Sequence, residues 1–252
     1  MTPAMFGFFS QVLFMGTRFM PAIFLTPLFG GRMLPTPVKM GLACVFGLMV
    51  RGSAPQAVAQ NDYFGMAAEF FTGLVLCLPV LFTLKGIEMA GHCFDLACGT
   101  NSIEILYPSG EDRSSPTAIA MSLAVVVVSF GAGIQCMYLN VVLSSYDLVH
   151  AGAWLTPDSK IIVFLIETAG WSFASGISLA APFLVMAAGV DLALSYASRI
   201  APGFSLFSSS MVIKNFLALC FMVLFGQRFF EGSSTFIFYL PGMFKKLMGL
   251  IS

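Results

Sequence analysis

Ionisable side chains are embedded in long apolar runs of this chain: Arg18, Glu69, Lys85, Glu88, Asp95, Glu167, Asp191, Arg199, Lys214 and Arg228. A charge in hydrocarbon is costly, so such residues face a partner or water, or snorkel to the interface from a helix end. Lys85 and His92 stand at helical spacing from Glu88, with Asp95 three residues beyond His92. That cluster has the groups for a proton relay, but too few donors for a metal site to be expected. His150, beside a loop, reads as a solvated histidine. Ser144, Ser145, Asp147 and His150 carry the letters of a nucleophilic triad, yet residues so close on one helix cannot assemble one. GxSxG, HExxH and P-loop patterns do not occur, so neither an enzyme nor a cofactor is expected. The six cysteines sit in or beside apolar stretches without a CxxC pair, which reads as small apolar packing rather than a disulfide or zinc framework.

The composition places these residues in a membrane protein. The chain has 252 residues, 58% hydrophobic and 10% charged, and a mean hydropathy of +0.91. Soluble domains carry about a quarter charged residues. A formal net charge of zero gives no reason to expect nucleic acid as a partner. The first residues, MTPAMFGFFSQ, lack the basic start and small-residue cleavage site of a cleaved signal peptide.

The elements that must position the charges are helices, because a lone strand in lipid leaves its backbone unpaired. The first apolar run, Met5 to Phe29, is interrupted by Gln11, Arg18 and Pro21. A second, Val38 to Val50, is too short to cross the ~30 Å hydrocarbon core. After the polar linker 51–62 comes a run from Tyr63 to Cys98. A charge-free run from Ser114 to Tyr146 is long enough to span once with tilt. Ile161 to Ile200 follows, then a run from Phe204 that fades through GQRFFEGSS into a last apolar piece, TFIFYLPGMF. The whole chain, 1–252, reads as one all-α membrane domain: N-terminal helices to residue 62, a hairpin over 63–150, and a second hairpin with a tail over 151–252. Lys245 and Lys246 favour a cytoplasmic C-terminus.

The two hairpins carry a parallel internal repeat. Residues 70–90 align without gaps on 173–193, with identities at Phe70/Phe173, Gly73/Gly176, Leu76/Leu179, Pro79/Pro182, Leu81/Leu184, Gly86/Gly189 and Ala90/Ala193. Glu88 matches Asp191. Small Gly73 and Gly176 admit close helix approach, Pro79 and Pro182 kink their helices, and Gly86 and Gly189 loosen the turn before each acid. Parallel repeats occur in transporters and also where one subunit imitates two copies of a partner.

The ordered set Arg18, Pro27, LFGG and LPTPVKMGL, then SSPTAIAM (114–121), VVLSSYDLV (141–149), SLAAPFLVMAAGVDLALSYASRIAPGFSLF (178–207) and SMVIKNFLAL, resembles the FliR/SctT family. These are the T-type export-gate subunits of type III secretion systems and their flagellar relatives. Lys214 is similar to a lysine of the virulence branch, whereas Gly203 and the loop YPSGEDRSS depart from the family pattern. The resemblance implies a helical hetero-oligomeric assembly with R-type and S-type membrane subunits, and with the U-type switch subunit, in the bacterial inner membrane. It implies a pore that closes at rest and opens for unfolded secreted proteins. By the same resemblance, a loop over Gly99 to Pro116 plugs the pore with Ile103, Ile105, Leu106 and Tyr107, a cluster that also reads as a plain surface loop. Arg18, Glu88, Asp191, Arg199 and Lys214 are expected in buried pairing between helices or subunits. An ion-coupled secondary transporter using Glu88 and Asp191 beside the kinks is the competing reading, and a scaffold without a pore is a third.

Overall fold

The computed structural model describes residues 3–29, 34–51, 63–98, 116–153, 159–200 and 206–251. Among them no strand occurs. The N-terminal region forms α1 (Pro3–Gly16), a 3₁₀ turn (Thr17–Phe19), α2 (Met20–Leu25), a second 3₁₀ turn (Pro27–Phe29) and α3 (Thr36–Arg51). Then come α4 (Tyr63–Cys98), α5 (Pro116–Gly131), α6 (Ile134–Leu148), α7 (Ser159–Ile200) and α8 (Leu206–Ile251). Gln11 does not interrupt α1; the break falls at Thr17–Phe19. Pro21 is tolerated at the start of α2, where a backbone donor is not needed.

The charge-free run that reads as a single span is two helices. α5 and α6 meet at a bend of 68°, at Ala132–Gly133 and without a proline. Gly133 has φ +69°, a left-handed conformation that any residue with a Cβ adopts only at a cost. The valine-rich stretch before it gives no such sign. In contrast, α4 runs on through Pro79, α7 through Pro182 and α8 through Pro241. The polar stretch inside the last run does not end α8 either: Ser234 and Thr235 donate their hydroxyls back to the Glu231 carbonyl, satisfying themselves on the helix.

By length and composition, Gly7–Leu25, Tyr63–Ala97 and Ser159–Ile200 can each cross a membrane, and the bent α5–α6 pair makes a fourth if counted as one span. α3, with 16 residues, covers about 24 Å and falls short.

Two compact units divide the chain. The first comprises 1–83, 126–169 and 237–252. Its core holds Phe19, Ile23, Leu28, Leu76 and Leu247. A chain of rings runs through it, Phe19 to Phe46 at 5.3 Å, Phe46 to Phe29 at 5.8 Å, Phe29 to Tyr138 and Tyr138 to Phe244 at 6.0 Å each. The second unit comprises 84–125 and 170–236. There Phe94 meets Phe183 edge to face at 4.7 Å, and Ile87, Ala90 and Ala187 are buried in the same unit.

Candidate functional site

Arg18 and Glu69 are both 0% exposed and form a forked ion pair in the first unit. Arg18 stands in the 3₁₀ turn after α1, and Glu69 in the first two turns of α4. Arg18 Nε donates to Glu69 Oε2 at 2.7 Å and Nη2 to Oε1 at 3.0 Å. The remaining donors turn to the end of α6: Nη1 to Ser145 Oγ at 2.9 Å and Nη2 to the Val149 carbonyl at 3.1 Å. Glu69 Oε1 also accepts from the Gly152 amide at 2.8 Å. The guanidinium carbon lies 3.7 Å from the centre of the Tyr146 ring, a close cation–π contact. The Tyr146 hydroxyl donates to the Met15 carbonyl at 2.8 Å. On the other side α4 comes so near that a Cβ on Gly73 would stand 2.0 Å from the Arg18 carbonyl oxygen. A buried pair is tolerable only when forked geometry and further hydrogen bonds replace water; each of these contacts does so. The arrangement leaves no reacting group exposed, so its chemistry is structural.

The second unit contains a close crossing. A Cβ on Gly176 would lie 2.2 Å from the Gly86 carbonyl oxygen, and one on Gly86 would lie 2.5 Å from that of Ser172. The backbones of α4 and α7 touch there, which only glycine permits. Gly189, aligned with Gly86 in the repeat, faces nothing within 4 Å. Pro79 is buried in its helix and Pro182 is exposed.

The other expected charges are nearer the surface. Lys214 Nζ bonds Asp191 at 2.7 Å, with the lysine largely covered and the carboxylate half exposed. Glu88 pairs with Lys85 on the same face of α4, and His92 Nε2 stands 4.0 Å from Glu88 Oε1. Arg199 is exposed near the end of α7. Of these five, burial is complete for Arg18 alone. Ile103, Ile105, Leu106 and Tyr107 lie outside the described residues. Among the described residues no group of three or more His, Cys, Asp or Glu could hold a metal ion.

The sequence singles out Arg18 and includes Glu69 among its embedded charges, without joining the two. A signal is present: they are ionised residues of opposite sign in the first and third apolar runs, each with no opposite charge at helical spacing. The roles of Tyr146, Val149 and Gly152 had no comparable signal, because ring stacking and backbone contacts depend on the fold.

The profile of the bacterial export proteins, family 1, matches residues 9–238. The chain belongs to this family. Members similar to it include the Yop proteins translocation protein T of Yersinia pestis, 22% identical over 86% of this chain and 86% of that protein. The flagellar biosynthetic protein FliR of Escherichia coli is 21% identical over 75% and 74%. The surface presentation of antigens protein SpaR of Shigella flexneri is 24% identical over 80% and 79%. Bacterial export proteins, family 1, is therefore the FliR/SctT family that the sequence resembles, and the matched stretch takes in Arg18, Glu69, Gly73, Asp191 and Lys214.

Proposed function

We propose that this chain is a subunit of the type III export apparatus. With R-type and S-type membrane subunits, and the U-type switch subunit, it forms and closes the pore through which unfolded proteins cross the bacterial inner membrane. The family match over 9–238 carries this reading. The fold supports it: the apolar span of α7 is only 17% buried within the chain, against 56% for that of α4, so α7 has a face to give to other subunits. Lys214, similar to a lysine of the virulence branch, supports a place in that branch. At rest, Ile103, Ile105, Leu106 and Tyr107 close the pore as an apolar plug, which excludes water and ions by dewetting and yields to a passing chain.

Affinity purification of the full chain from its native membrane, with mass spectrometry of its companions, tests membership. R-type and S-type subunits are expected together; a chain that purifies as a homo-oligomer and moves a small solute in liposomes would instead be a secondary transporter. Replacing Ile105, Leu106 and Tyr107 by Gly is expected to make the assembled complex leak ions. Background conductance in an intact complex would remove the plug assignment.

A further inference from the structure

The turn from Val149 to Ala153, which follows α6, is gripped by both members of the buried ion pair. Arg18 holds it through the Val149 carbonyl, and Glu69 through the Gly152 amide. The polarity matches on each side. Arg18 lies at the C-terminal end of α6, where the helix dipole and unpaired carbonyls favour a cation. The carboxylate takes a turn amide. The turn's own bonds are few: Val149 N–H to the Ser145 carbonyl and Ala153 N–H to that of His150. Gly152 sits at φ +83°, so no extended or helical register continues through it. His150 and Ala153 face outward while Val149 is buried.

We infer that the Arg18–Glu69 pair is a latch that holds the Val149–Ala153 turn shut and releases it as one step when either charge is lost. The reason is electrostatic. Neither ion can remain at zero exposure without the other. If Arg18 loses Glu69, it must leave for water, and its bonds to Ser145 and Val149 go with it. If Glu69 loses Arg18, it must leave too, and Gly152 loses its acceptor. The contact made by each charge therefore depends on a residue that does not make it. This coupling stands on side-chain geometry and is independent of the export role.

Hydrogen exchange of the purified full chain, read on the peptide over 149–153 with an α3 peptide as control, tests it. Glu69→Gln keeps the size and the Oε1 acceptor for Gly152 but removes the charge. Arg18→Met removes the other charge and leaves Glu69 without its ion partner. In both, exchange at 149–153 is expected to rise at least about tenfold, the effect of losing a hydrogen bond to a charged group, with α3 unchanged. Wild-type protection of the turn in either variant would overturn the latch. If the single variants do not fold, Arg18→Met with Glu69→Met decides. That apolar pair is expected to melt cooperatively with a fast-exchanging turn, and a protected turn in it overturns the inference equally.

Discussion

The Arg18 guanidinium has bonding partners on three sides, and that fixes what its removal does. Breaking a buried pair strands the other charge, which costs about 3–5 kcal/mol, whereas replacing both ions by apolar side chains is often close to neutral. Arg18→Met alone is accordingly expected to destabilise the detergent-solubilised chain by about 3–5 kcal/mol. Adding Glu69→Met should recover most of that loss. Thermal melting of the two single variants and the double variant gives the coupling directly; additive losses would mean that the pair is not the unit of stability. Gly73 belongs to the same centre for a steric reason. The absence of a Cβ, which would stand 2.0 Å from the Arg18 carbonyl oxygen, is what lets α4 bring Glu69 within reach. At this scale the sequence shows which residue is anomalous, an arginine in an apolar run. It does not show the partner, because Arg18 and Glu69 are 51 residues apart and only the packing of the Thr17–Phe19 turn against α4 brings them together.

Helix termini and crossings obey different rules from the ones periodicity reveals. The all-helical character and the long runs over 63–98 and 159–200 are legible, since apolar length alone dictates them. The bend between α5 and α6 is not. It rests on the backbone angle of Gly133 within a charge-free run, whereas the prolines that attract the eye lie inside continuous helices. The repeat is informative in a similar, partial way. It marks Gly86 and Gly176 as special, but aligns Gly86 with Gly189 and Gly176 with Gly73 rather than with each other. In the fold they meet each other, through the Gly86 carbonyl. Gly176→Ala should therefore push α7 off α4 and lower stability by about 1–3 kcal/mol, the usual range for overpacking. Gly189→Ala, with open space around it, should be neutral or stabilising by up to about 1 kcal/mol through helix propensity. Paired denaturation measurements check the contrast; equal effects would mean that the 86–176 crossing is not a tight contact.

At the scale of the molecule, the deciding quantity is what covers α7. Forty-two residues make a helix about 63 Å long, twice the ~30 Å hydrocarbon core of a bilayer. Its exposed side chains include Ile166, Val185, Leu192, Tyr196 and Ile200, so apolar surface extends along far more of it than lipid alone can cover. Arg199 and the half-exposed carboxylate of the Asp191–Lys214 pair, on the same helix, would also sit badly against acyl chains. Protein cover resolves both difficulties, since a neighbouring subunit can bury the apolar stripe and meet the charges. A photo-crosslinking residue at Val185 or Leu192, in cells with the whole secretion system, is expected to give adducts with other membrane subunits. The same probe in the chain expressed without companions should lose them. Lipid adducts alone in both cases would mean that α7 faces the bilayer, and the hetero-oligomeric reading would then lose its physical basis in this helix.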